Sequence, residues 1–333
     1  MQISHTKNMR AAIVTKFGGP EVLELTEIQI PTPNSHQILI RVHAASINFA
    51  DLNARKGMYH LGKKPPFIPG IDCAGVVAAV GANVTNIDVN QKVVAFPATG
   101  SYAEFALAEE NLVFPIPETL PYDLAASFPI VGGTSYHMLK KVAGLKQNET
   151  ALIHTSGGGV GSTALNIAKY LGASVVIGAT RSSWKETHIK KIGADAVVNL
   201  NSADLVNNIN SLTGSKGVDV ILNPIGGRTI EKDLECLAPF GRLVLFGNLA
   251  AANYSLTISS LFTLNQSILG FSFGHFRRYR PEDIQDTMDS VINLVAAGKL
   301  KMQIAKRISL KNVQRAHRLL ENQEVLGKLI LMS

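Results

Sequence analysis

Thr150-Ala-Leu-Ile-His-Thr-Ser-Gly-Gly-Gly-Val-Gly161 is the stretch that decides how this chain folds. Its first half is short and apolar, as a buried strand requires, and its second half is a cluster of glycines. Beyond the cluster, Val160, Ala164, Leu165, Ile167, Ala168 and Leu171 recur at the spacing of one helix face. Strand, glycine turn and helix in that order form a phosphate cradle. Without a Cβ, Gly158 lets backbone N–H groups approach a pyrophosphate, and Gly161 lets the new helix pack on the strand. The helix N-terminus adds unpaired donors and partial positive charge. The cradle runs through Ser156, Gly157, Gly158, Gly159, Val160 and Gly161, and departs from G-x-G-x-x-G where Ser156 replaces the first glycine. On the letters alone, an ordinary glycine-rich loop remains the alternative.

The sequence downstream repeats the unit. Ser174 to Gly178, Ala196 to Asn199, Val218 to Leu222 and Arg242 to Phe246 read as further short strands rich in β-branched residues. Helical patterns separate them around Glu186 to Ile192, Ala203 to Leu212 and Thr229 to Cys236. The alternation predicts an α/β fold, a doubly wound parallel sheet of Rossmann type with its ligand at the carboxyl ends of the strands.

At 333 residues, 46% hydrophobic and 17% charged, the chain has room for two folded domains. Its net charge of +7 is spread along the sequence with no block of like charges. It therefore reads as a solvated surface and a partner for an anionic cofactor, not for nucleic acid. Cys73 and Cys236 can form neither a disulfide framework nor a cysteine-rich zinc site, which fits a reducing, cytoplasmic setting. Met1 to Asn8 lack a signal-peptide core and no later run approaches about 18 apolar residues, so neither secretion nor membrane spanning is expected.

The N-terminal third is different in character. Arg10 to Thr15, the turn Phe17-Gly-Gly-Pro20, Val22 to Ile30 and Ile38 to His43 alternate as strands in a Gly- and Pro-rich context, predicting a compact barrel-like domain. Ala45 to Tyr59 reads as a loop entering a short helix. Ile284, Met288, Val291, Ile292 and Val295 trace one face of a later helix expected to pack against this domain.

Particular residues carry a family resemblance: Ile47-Asn48, Asp51, Arg55-Lys-Gly-x-Tyr59, Pro69-Gly70-x-Asp72, Gly100-Ser-Tyr-Ala-Glu-Phe105, Gly133-Thr-Ser-Tyr136, the glycine turn, Ala316-His317 and Gly327-Lys-Leu-Ile-Leu331. In these blocks, which cover nearly the whole chain, the sequence resembles the medium-chain dehydrogenase/reductase superfamily, and within it the zinc-free quinone oxidoreductases related to zeta-crystallin. The resemblance implies a GroES-like catalytic domain at 1–126 and 272–333 and a dinucleotide-binding domain at 127–271. Zinc-dependent members of the superfamily carry Cys where Asn48 stands and His where Ile71 stands. Neither replacement offers comparable coordination chemistry, so no metal is expected. Without a Lewis acid, hydride transfer favours acceptors that are already electron-poor.

At the end of the second strand, where an NAD site carries a carboxylate, the chain reads Thr180, Arg181, Ser182, Ser183, Trp184 and Lys185. Arg181, Ser182 and Lys185 suit a 2′-phosphate, which predicts NADPH; an exposed turn is the alternative. Lys185 also matches the family's NADP-contacting lysine. By resemblance Thr134 meets the nicotinamide, with a helix cap or turn as its alternative; Phe271 and Phe273 follow the strand whose loop lines the active site in relatives and are candidate cofactor contacts, with core packing as the alternative; and Lys328 reaches the cofactor unless it is simply a surface lysine. Asn223 and the Phe246-Gly247 pair lie at the ligand edge of the expected sheet, although relatives often carry Asp at Asn223, where support of the turn is the alternative role. On the acceptor side, the family pattern makes Asn48 and Tyr59 candidate donors to a developing oxyanion, with a loop-stabilising amide the alternative for Asn48 and an aromatic lid the alternative for Tyr59. Together these imply an NADPH-dependent quinone reductase acting on a small electrophile, with a homodimer formed through edge strands. A 2-enal, enone or enoyl-thioester reductase, and a non-catalytic NADPH-binding, crystallin-like or RNA-binding protein, remain as rivals.

Overall fold

The computed structural model describes residues 8–59 and 63–333. The chain divides into two units, Met1–Ile130 with Gly274–Ala297 and Met302–Ser333, and Val131–Phe273 with Gly298–Lys301.

The second unit holds a six-stranded sheet in the spatial order Ala196–Asn199, Val175–Thr180, Thr150–Ile153, Val218–Asn223, Leu237–Leu245, Ser267–Gly270. Every pairing in it is parallel. Leu152, Ile177, Val198, Ile221 and Leu243 pack into one core, burying strands that are apolar in sequence because helices cover them. Helix Gly159–Tyr170 buries Ala164, Leu165, Ile167 and Ala168 of the face predicted from the sequence, while Val160 and Leu171 are half-buried. The order reverses beside Thr150–Ile153, the switch point at which doubly wound folds bind their ligands. Five of these strands are legible in the sequence; the sixth, Ser267–Gly270, has only two apolar residues and is defined by its pairing with Leu237–Leu245.

The first unit is built on a seven-stranded sheet whose spine is Gln37–Ile47. This strand pairs antiparallel with Cys73–Val80, Phe105–Glu109 and Lys328–Met332. The pattern from Ala45 onward predicts a loop, but the strand continues to Ile47. Ala44 to Ile47 pair with Leu329 to Met332, a partner nearly 300 residues away in the chain that leaves no local trace. Ile38, Ile40, Val42, Val77, Val93, Ala106, Leu329 and Leu331 fill its interior. Asn8–Val14 and Leu23–Gln29 form a separate antiparallel pair. Helix Gln285–Ala296 buries Met288, Val291, Ile292 and Val295 as the spacing predicted. Among the described residues, no helix is long and apolar enough to cross a membrane.

Candidate active site

In the second unit the glycine turn is built tightly. Thr155 takes φ of 51°, and Gly158 N–H returns to Thr155 O at 2.9 Å. A Cβ on Gly161 would stand 2.4 Å from Thr155 O and 2.7 Å from Ser156 Cα, so only glycine lets the helix start against the strand. Gly158, the N-cap of helix Gly159–Tyr170, is different: its added Cβ would meet only Thr155 O, at 3.3 Å. The helix has no side-chain cap, leaving first-turn N–H groups available to an anion. Ser156, in place of the first fingerprint glycine, is fully buried. Its hydroxyl donates to Ile153 O at 2.5 Å and accepts from Ala179 N–H at 3.0 Å, stitching the turn to the second strand. The hydroxyl is thereby a structural brace.

At the end of Val175–Thr180, buried Thr180 accepts from Ser182 N–H at 3.1 Å and Arg181 extends into solvent. The Lys185 ammonium lies 5.0 Å from the Trp184 ring centroid, and Trp184 is 59% exposed. At the end of Val218–Asn223, the Asn223 amide donates to Thr229 Oγ1 at 2.8 Å and Asp233 Oδ2 at 2.6 Å. Its Oδ1 accepts from the N–H groups of Ile225 and Gly226. Asn223 therefore holds the turn, and its amide complements Asp233, which also pairs with buried His154 Nε2 at 2.8 Å. Phe246 is half-buried, its N–H donating to Asn223 O, and Gly247 is exposed. Thr134 is buried in helix Pro129–Tyr136, and Ser135 Oγ donates to Val160 O at 3.1 Å. Phe271 and Phe273 are buried around His137, with ring centroids 5.7 and 6.3 Å away.

The first unit holds a buried polar cluster. Asn48 caps helix Phe49–Arg55, its N–H donating to Asp51 Oδ2 at 2.8 Å. Asn48 Nδ2 donates to Asp72 Oδ1 at 2.9 Å and to Ser46 Oγ at 3.2 Å, while its Oδ1 accepts from the Lys328 ammonium at 2.7 Å. Both amide protons are thus committed within the protein, and Asn48 positions neighbours instead of presenting a donor. Lys328 is 4% exposed and also donates to Ile47 O at 2.9 Å, which corrects the surface-lysine alternative. Two fully buried carboxyl groups, Asp51 and Asp72, draw it inward. Burial drives the Asp51 pKa up to about 7 despite donors from Asn48 and Tyr102 and the Lys328 charge. Burial likewise raises Asp72 and lowers Lys328.

Tyr59 is half-buried in the same unit. Its phenol accepts a hydrogen bond from Arg277, on helix Phe273–Tyr279, and burial raises its pKa while Arg277 opposes that rise. Arg277 also donates to Ile71 O at 3.2 Å and lies 5.0 Å from the Phe96 ring centroid. Nothing in the sequence pattern gives Arg277, Asp51 or Asp72 a chemical role. Arg277 is one arginine in the run Arg277-Arg-Tyr-Arg280, and only the fold separates it from the exposed ones.

The donor set does not suit a metal. Asn48 Oδ1 already faces an ammonium, and Ile71 offers only a carbonyl, taken by Arg277. Among the described residues no group of three or more His, Cys, Asp or Glu is placed to hold an ion. A dinucleotide fits better: the turn leaves room at Gly158, the helix start is uncapped, and the adjacent strand ends in basic residues.

Comparison with known proteins matches residues 34–118 to the alcohol dehydrogenase GroES-like domain and 159–293 to the zinc-binding dehydrogenase family. Quinone oxidoreductase of Rattus norvegicus is 32% identical over 98% of each chain. The synaptic vesicle membrane protein VAT-1 homolog of Danio rerio is 31% identical over 98% of this chain and 70% of its own length. The crystal structure of Escherichia coli quinone oxidoreductase complexed with NADPH superposes with a TM-score of 0.88 at 30% identity, over 98% of this chain and 100% of that one.

Proposed function

Because the chain belongs to the quinone oxidoreductases of the medium-chain dehydrogenase/reductase superfamily, a group of oxidoreductase enzymes, we propose that it is an NADPH-dependent, zinc-independent reductase of quinone-type electrophiles. When bound, NADPH supplies the hydride. The helix start at Gly158 holds the pyrophosphate, and Arg181, Ser182 and Lys185 hold the 2′-phosphate. Thr134, Phe246, Gly247, Phe271 and Phe273 flank the nicotinamide end, and Thr180 and Asn223 shape the loops that present these groups. On the acceptor side Tyr59 donates to the oxygen on which negative charge develops. Asn48, bound to Lys328 and Asp72, keeps the buried charges in register.

The observation that carries the reading is the pairing of an uncapped, glycine-opened helix start with a neighbouring strand end that bears Arg181 and Lys185 and no carboxylate. The test follows NADPH oxidation over a panel of ortho- and para-quinones, 2-alkenals, enones and enoyl-thioesters. Turnover fastest with quinones supports the proposal. A preference for enals, enones or thioesters moves the protein to the neighbouring reductase class, and no turnover with any acceptor favours a binding protein. We further propose a cytoplasmic homodimer joined at the edge strand Ser267–Gly270. In the same unit Phe240, Ile258 and Phe262 are at least 69% exposed, an apolar surface suited to a second copy. Light scattering that returns a monomer rejects this part.

A further inference from the structure

The partners of Arg277 give it more to do than packing. It sits on a short helix whose neighbouring arginines, Arg278 and Arg280, face outward, yet its own guanidinium turns inward and is held at three points. Nη1 donates to Ile71 O at 3.2 Å, Cζ lies 5.0 Å from the Phe96 ring centroid, and the group donates to the phenol oxygen of Tyr59. The cation–π contact and the carbonyl contact fix the guanidinium, and the fixed guanidinium fixes the phenol oxygen. We infer that Arg277 is a positioning residue for the reaction, holding Tyr59 so that its O–H faces the acceptor and balancing the negative charge left on the phenol oxygen when that proton departs.

This inference rests on the reading of Tyr59 as the acceptor-side donor. Reduction leaves an electron pair on the acceptor oxygen. The Tyr59 O–H bond breaks, an O–H bond forms on the acceptor, and the phenolate stays beside Arg277 until water returns a proton. Without the cation, a phenol in a partly dry site is a poor acid, because burial disfavours its anion. The other charged groups facing the pair are Asp51 on helix Phe49–Arg55 and Asp72 ahead of strand Cys73–Val80. Lys328 faces both carboxylates and offsets them, leaving Arg277 as the cation in hydrogen-bond contact with the phenol.

The test compares wild type, Arg277→Gln, Arg277→Lys, Tyr59→Phe and the Tyr59→Phe/Arg277→Gln double variant. It measures kcat against pH in NADPH-dependent quinone reduction, with NADPH affinity and thermal unfolding alongside. Arg277→Gln is expected to lower kcat about 10- to 100-fold with NADPH affinity unchanged. It is also expected to move the alkaline limb to higher pH, because Tyr59 must be protonated and loses the cation that eases its ionisation. Arg277→Lys, which keeps the charge, returns the limb toward its wild-type position. The double variant is no slower than Tyr59→Phe. A kcat within about twofold of wild type, an unshifted limb, or losses that multiply in the double variant would overturn the role of Arg277 while leaving the reductase reading standing. Absence of wild-type turnover with every acceptor would reject that reading itself, and this inference with it.

Discussion

Replacing Gly158 with alanine separates the needs of the fold from those of the nucleotide. The backbone at Gly158 has φ −86° and ψ 173°, open to any residue, and a Cβ there meets only Thr155 O at 3.3 Å. The gain from a stiffer unfolded chain, about 0.4–1 kcal/mol, roughly offsets that tight contact, so stability should stay within about 1 kcal/mol of wild type. Thermal unfolding then shifts by no more than about 4 °C. Gly161→Ala is the contrast. Its methyl would press on backbone atoms at 2.4 and 2.7 Å that cannot rotate aside, costing about 1–3 kcal/mol or more. If the methyl at Gly158 displaces a single N–H contact to a phosphate, worth about 1.5–3 kcal/mol, NADPH affinity falls about 10- to 150-fold. Circular dichroism melting measures the first quantity. A fluorescence titration measures the second, since the chain has one tryptophan, Trp184, beside Lys185, which is proposed to hold the 2′-phosphate. Gly158→Ala that folds normally and binds NADPH like wild type would refute the claim that Gly158 is open for a phosphate.

Arg181→Ala should weaken NADPH far more than NADH, since only the former carries the extra phosphate; equal losses for both would remove Arg181 from the site. Chelators should leave turnover intact, and activity lost on chelation and restored by Zn²⁺ would contradict the metal-free proposal. Lys328→Met removes the ammonium that faces two buried carboxyl groups and should cost about 3–5 kcal/mol in urea unfolding. A loss under about 1 kcal/mol would mean that the Asp51–Asp72–Lys328 cluster is not held together by that charge. Burial and the Arg55 charge drive His317 down to about 3 from its ordinary 6.5. The folded chain therefore takes up that proton later than the unfolded chain, so the stabilisation is complete above about pH 6.5 and lost as pH falls toward 3, on the order of 4 kcal/mol. His317→Gln should flatten the acid side of the stability profile, and an unchanged profile would contradict the assignment.

The parallel sheet was legible because each strand is a short apolar run bounded by turn residues, and buried parallel strands need no partner to look like strands. Its edge, Ser267–Gly270, and the end of Gln37–Ile47 were not, because pairing across long sequence distance defines them. The same divide runs through the site. Gly158, Arg181 and Lys185 could be proposed from the sequence because a phosphate cradle is local in sequence. The cluster joining Asn48, Asp72 and Lys328, with Arg277 bound to the carbonyl of neighbouring Ile71, is assembled from four separate segments. Family likeness left Asn48 open as a donor or a loop-stabilising amide, and the three-dimensional arrangement favours the second, since Ser46 and Asp72 take both of its amide protons. The serine at the first fingerprint position was visible as a departure; its bond to Ala179 explains why the turn tolerates it.

The most direct measurement is a crystal structure of the protein grown with saturating NADPH. The account predicts the pyrophosphate within hydrogen-bond distance of the N–H groups that open helix Gly159–Tyr170, with the 2′-phosphate against Arg181 and Lys185. An empty glycine turn under those conditions, or the nucleotide bound elsewhere, would contradict it.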